Sequence, residues 1–145
     1  MTPYCEVFDL FLSGIKDPKI DRLYQSATPT NADVYMTGFL VKSIPSFTNC
    51  KKDLENRDDD TRIFNISLNT DEKVILSNLM IIEWLTKEIN DIRQITLHLQ
   101  HSDAKTYAEA NNLKEKSNLR DVTRETSERQ IVQYGYKNID WNMLG

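Results

Sequence analysis

His98 and His101 stand three positions apart with Asp103 close behind, a spacing that would set two imidazoles and a carboxylate near one another on a helix. Divalent metal binding is the chemistry such a group could do. A metal site needs a third or fourth ligand of suitable spacing, and the chain holds 2 histidines in all. The pair therefore reads as exposed or edge residues. Asp58, Asp59 and Asp60 suggest calcium, but the run lacks the glycine and the closing glutamate that a calcium loop requires, and it reads as a solvated acidic turn. Glu83, between Ile82 and Trp84, is the one carboxylate in an obviously apolar context; a partner one turn on, Lys87, makes it an ion-pair residue rather than an acid or base. No glycine-rich phosphate loop, no G-x-S-x-G elbow and no plausible Cys and His pairing occurs. The expectation is a protein that is not an enzyme and takes no metal or cofactor.

The elements that position these residues are mostly helical in pattern. The chain has 145 residues, enough for one domain with one core, and 4 Gly and 4 Pro are few for a meander of tight turns. Tyr4, Val7, Phe8, Phe11 and Ile15 recur at helical spacing, with Thr2 as a candidate cap and Pro3 at the first helical position; Gly14 and Pro18 end the run. Lys16 to Pro29 reads as a loop pinned by Ile20, Leu23 and Tyr24. Thr30 and Asp33 resemble a capping box for a second helix that buries Tyr35 or Met36, Phe39, Leu40 and Ile44, stopped or kinked before Pro45. The charged run from Cys50 to Arg62 reads as a helix end or loop in solvent.

Asn69 and Glu72 form a clear capping pair for the central helix, which reaches to about Asn90. Its apolar residues, Val74 through Ile89, cover more than one face, as in the middle of a bundle. Ile92, Ile95, Leu97 and Leu99 are ambiguous between helix and strand. A last long helix is expected from about Ala108 to Tyr134. Leu113, Leu119 and Val122 give it only a thin apolar stripe, so it projects from the body or lies on a neighbouring subunit. Trp84 reads as structural.

The last eleven residues, 135–145, carry Tyr136, Ile139, Trp141, Met143 and Leu144 in a stretch too short and too rich in asparagine to fold alone. Exposed apolar clusters usually mark contact surfaces, and tyrosine and tryptophan are efficient anchors, so docking onto a partner is favoured over folding back on the chain's own core. The expected fold is thus all-α: a small helical bundle over 1–134 that includes the long helix, then an extended docking tail over 135–145.

The net charge of −4 argues against free nucleic acid as a ligand. Met1 to Glu6 lacks a basic stretch leading into an apolar one, and the apolar block from Val74 to Leu85 is too short to span a bilayer, so a soluble intracellular product without membrane contact is expected. Cys5 and Cys50 are expected as reduced thiols, and the sequon Asn65-Ile66-Ser67 carries no meaning without secretion.

Phe64-Asn65 and Leu68 ahead of Asp71-Glu72, then Ile75-Leu76, Leu79-Met80 and Glu83-Trp84-Leu85, with Tyr107, Ala110 to Glu115, Leu119-Arg120 and Tyr134-Gly135-Tyr136, form a pattern over most of residues 4–136. It resembles the head-to-tail adaptor, or head-completion, proteins of tailed bacteriophages. The resemblance implies a small helical bundle that assembles with itself into a ring, commonly a dodecamer, beneath the portal protein in the virion neck. It also implies other neck or tail ring proteins as neighbours and a channel through which DNA passes without sequence-specific binding. Such adaptors commonly dock a C-terminal segment into the portal, a part that Tyr134, Tyr136, Ile139 and Trp141 would play here, with Met143 and Leu144 beyond them. A small helical scaffolding or regulatory interaction protein is the alternative.

Overall fold

The computed structural model describes residues 1–98 and 103–139, with side chains for 1–97 and 107–139. The protein is all-α apart from a small three-stranded sheet. In chain order its elements are β1 (Thr2–Pro3), α1 (Tyr4–Ser13), α2 (Pro18–Tyr24) and α3 (Thr30–Ser43) with a 3-10 turn at Ile44–Ser46. Then come β2 (Arg57–Asp58), β3 (Ile63–Phe64), α4 (Thr70–His98) and α5 (Asp103–Lys137).

α4 is the axis of the core. Its Ile75, Leu76, Leu79, Met80, Ile81, Ile82, Trp84, Leu85, Ile89 and Ile92 are all buried, which uses nearly its whole circumference. A helix with so much apolar surface must be wrapped; α1, α3 and α5 pack around it. Its start is the expected capping box. The Glu72 amide donates to Asn69 Oδ1 at 2.9 Å and the Asn69 amide to Glu72 Oε1 at 2.8 Å. Asn69→Ala is expected to lower stability by about 1 kcal/mol in chemical denaturation, since it removes one acceptor from the helix start. α4 also continues past Asn90 through Ile92, Ile95 and Leu97, so the ambiguous segment is helix as far as His98.

The N-terminal elements depart from expectation where side chains find distant partners. Thr2 does not cap α1: it lies in β1, donates to the Ile66 carbonyl at 3.1 Å and accepts from the Leu68 amide at 2.8 Å. β1 pairs with β3, and β3 with β2, giving the antiparallel order β1-β3-β2. The charged run is therefore partly a hairpin, closed by Arg62 with φ 57°, whose carbonyl accepts from the Tyr4 amide at 2.9 Å. α1 then buries Tyr4, Val7, Phe8 and Phe11. It ends at Ser13 with Gly14 as its cap, where the chain passes close to α4: a Cβ on Gly14 would lie 2.9 Å from Ile81 Cδ1.

The expected loop from Lys16 to Pro29 contains α2, with Asp17 as its cap accepting from the Lys19 amide at 2.9 Å and Pro18 at its first position. Asp17 also accepts from Trp84 Nε1 at 2.9 Å, which fixes α2 to the core and holds the indole in its structural place. The Thr30 and Asp33 box does not form; Asp33 accepts from the Tyr24 hydroxyl instead, at 3.3 Å. α3 nevertheless buries Met36, Phe39 and Leu40 and ends before Pro45, whose ring cannot continue the helix.

Candidate docking site

α5 is 35 residues long, about 50 Å at the usual rise. One side of it faces α4 sparsely. Among the described side chains of α5, Ser127 and Tyr134 are buried, with Leu113 and Ile131 half-buried. Polar ties fill the rest. Asn78 Nδ2 donates to Gln130 Oε1 at 2.8 Å, and Lys116 pairs with Glu88 at 3.8 Å while its ammonium sits 5.1 Å from the Trp84 ring centre. The apolar stripe is as thin as its sequence, yet α5 lies along its own chain's α4.

The C-terminal half of α5 is held by one buried polar cluster. Glu72 has no exposed surface, and its Oε2 accepts from the Tyr134 hydroxyl at 2.6 Å. That hydroxyl in turn accepts from the Lys51 amide at 2.9 Å. The Cys50 thiol lies 4.0 Å from Glu72 Oε2, and Lys52 Nζ 3.6 Å from Oε1. Phe47 meets the Tyr134 ring edge-on at 5.1 Å, and Asn49 Nδ2 donates to the Ile131 carbonyl at 3.0 Å. A buried carboxylate is tolerated only where its oxygens are satisfied, and here the α4 cap, the segment after α3 and α5 all supply partners. Burial and then the Glu72 hydrogen bond push the Tyr134 pKa up, and burial pushes the Cys50 thiol up, so both stay protonated at neutral pH. A neutral thiol is a poor nucleophile. The cluster is a clamp.

Tyr134 was expected among the partner-binding residues, and the structure corrects this: 2% exposed and hydrogen-bonded on both sides, it belongs to its own core. Tyr136 is 67% exposed on the last turn of α5. Ile139 is half-buried, and with Val132, Gly135 and Tyr136 it lines a shallow surface depression. The helix runs through Gly135 and Tyr136 to Lys137, so the boundary expected after Tyr134 falls inside α5. Lys137 there pairs with Asp71 at 3.2 Å, and Asn138 Nδ2 donates to the Tyr134 carbonyl at 2.8 Å. Trp141, Met143 and Leu144 lie outside the described residues, as do His101 and the side chains of His98 and Asp103.

The other chemical candidates are occupied. Asp58 accepts from the Asp60 and Thr61 amides, which hold its pKa down, and Asp59 accepts from the Tyr4 hydroxyl and from Arg57. Lys87 pairs with Asp91 at 2.6 Å rather than with Glu83, which lines a groove with Arg124 and Glu128. Among the described residues no group of three or more His, Cys, Asp or Glu could hold a metal ion, and no helix is long and apolar enough to cross a membrane. What local pattern could not supply was Glu72 as the acceptor for Tyr134, 62 residues away; the capping pair was the only visible trace of it. No family model, no curated protein and no solved structure matches the chain.

Proposed function

We propose that the protein is a passive structural connector of the head-to-tail adaptor kind, a ring subunit of a phage virion neck that docks onto a portal protein through residues 136–145. One observation carries the reading. The clamp at Glu72 and Tyr134 fixes the last turns of α5, and the chain beyond it leads with an exposed Tyr136 into a segment that holds Ile139, Trp141, Met143 and Leu144. A docking strap works best when its root is rigid and its apolar anchors are free.

Burying the apolar side chains of one strap is largely offset by the entropy of ordering it, so a single strap binds weakly. In a ring, the first strap to dock makes every later one effectively intramolecular. Capture then waits for a completed portal ring. The net charge of −4 suits a channel through which DNA passes without being held.

Ending the chain after Asn138 tests this, because it leaves the clamp and the Asn138 cap intact. The shortened protein is expected to keep the helical circular dichroism and melting behaviour of the full chain and to lose co-sedimentation with portal rings. Undiminished co-sedimentation would remove the docking role of the segment.

A further inference from the structure

The face of α5 turned away from the core carries a second pattern. Asn118, Val122, Glu125, Arg129, Val132 and Tyr136 follow one another in alternating steps of four and three, and all are exposed. At 100° per residue they form a narrow seam about opposite Ser127 and Tyr134, the buried side of the helix. Val122, Val132 and Tyr136 are 60%, 56% and 67% exposed, and among the described residues Glu125 and Arg129 pair with each other along the helix, at 3.2 Å.

Such a seam is asymmetric end to end but complementary to itself reversed. Laid antiparallel on a copy, with Val122 opposite Val132, it sets Glu125 opposite Arg129 and Arg129 opposite Glu125. Tyr136 then covers Asn118. Shifting the copy by one heptad in either direction puts a charge against an apolar side chain at several layers, or leaves Val122 against Glu125. Only the first register gives every charge an opposite charge and each valine a valine, the kind of matching that selects a pairing.

We propose that a second copy of this chain docks along this face, α5 against α5 in antiparallel register, forming a two-fold dimer centred on the Glu125 and Arg129 layers. The four charges form one cluster across the axis. Glu128, beside the seam, faces its own copy there and holds the affinity down by like-charge repulsion. An isologous pair closes on itself and does not propagate a ring, so the inference goes beyond the adaptor reading and stands without it.

Sedimentation equilibrium of the full chain over a concentration series decides the matter. The parent chain is expected to pass from monomer to dimer. Glu125→Arg sets like charges against each other at both layers and is expected to weaken the dimer about tenfold or more, while Glu125→Arg with Arg129→Glu restores it and Glu128→Gln tightens it. All three positions are exposed, so melting curves should stay close to the parent's. A chain that stays monomeric throughout overturns the proposal, and so does a double reversal that fails to recover dimer. The two readings separate cleanly: Glu125→Arg is expected to keep portal capture, and the chain ended after Asn138 is expected to lose capture but keep the dimer.

Discussion

Replacing Tyr134 by alanine is expected to destabilise the folded chain by about 3–5 kcal/mol, the cost of emptying a fully packed aromatic site. For a domain of this size that corresponds to a fall in melting temperature of roughly 6–20 °C. Two contributions add at this position. The ring is lost from beneath Phe47, and the Glu72 carboxylate, which has no exposed surface, loses its closest hydrogen-bond donor. Tyr134→Phe separates them. It keeps the ring and is expected to cost about 1–3 kcal/mol, the penalty for leaving a buried polar group short of a partner. Thermal and urea unfolding of both variants measure the difference. Equal stability of Tyr134→Phe and the parent would mean that Glu72 finds another donor, and the clamp would then be a packing contact alone. Because Tyr134 is the last buried residue of α5, Tyr134→Ala is also expected to weaken portal capture even with 136–145 present.

Alkali is expected to unfold the chain steeply above about pH 10, where tyrosine ordinarily ionises. Burial first, and then the Asp59 hydrogen bond for Tyr4 and the Glu72 hydrogen bond for Tyr134, push both phenols well above that value. Tyr24 is pushed up to about 12 by burial and by Asp33. A group whose pKa is raised on folding contributes its full stabilisation below the unfolded pKa. Above it the unfolded chain gives up protons that the folded chain keeps, and stability falls as pH rises toward the folded values. Each buried tyrosine removes at most about 1.4 kcal/mol per pH unit in that window, so Tyr4 and Tyr134 together account for about 3 kcal/mol per unit. Tyr24 is 39% exposed and contributes less. Urea midpoints between pH 9 and pH 11.5 read the slope, and Tyr134→Phe is expected to reduce it by up to about 1.4 kcal/mol per pH unit. A flat profile would mean that these hydroxyls ionise in the folded protein as freely as in water.

Much of the bundle was legible because it rests on local rules. Asn69 and Glu72 three residues apart cap a helix wherever they sit, and the near-continuous apolar surface from Val74 to Ile89 can be satisfied only at the centre of a bundle. The stripe of Tyr4, Val7, Phe8 and Phe11, the stop before Pro45 and the polar character of α5 are equally local. The exposed ion pair of Glu125 and Arg129 follows from spacing alone.

Tertiary structure decided the remainder wherever a side chain had two competing uses. Thr2 and Asp33 have the chemistry of helix caps, but Thr2 bonds the segment ahead of α4 and Asp33 takes the Tyr24 hydroxyl. Glu72 keeps its capping role on one oxygen and receives Tyr134 on the other, which turns a tyrosine expected at a partner's surface into part of this chain's own core. Local sequence fixes what a residue is able to bond because that depends on neighbours three or four positions away. Which bond it makes depends on groups brought close by folding, across 62 residues in the case of Glu72 and Tyr134, and no periodicity within a helix carries that information.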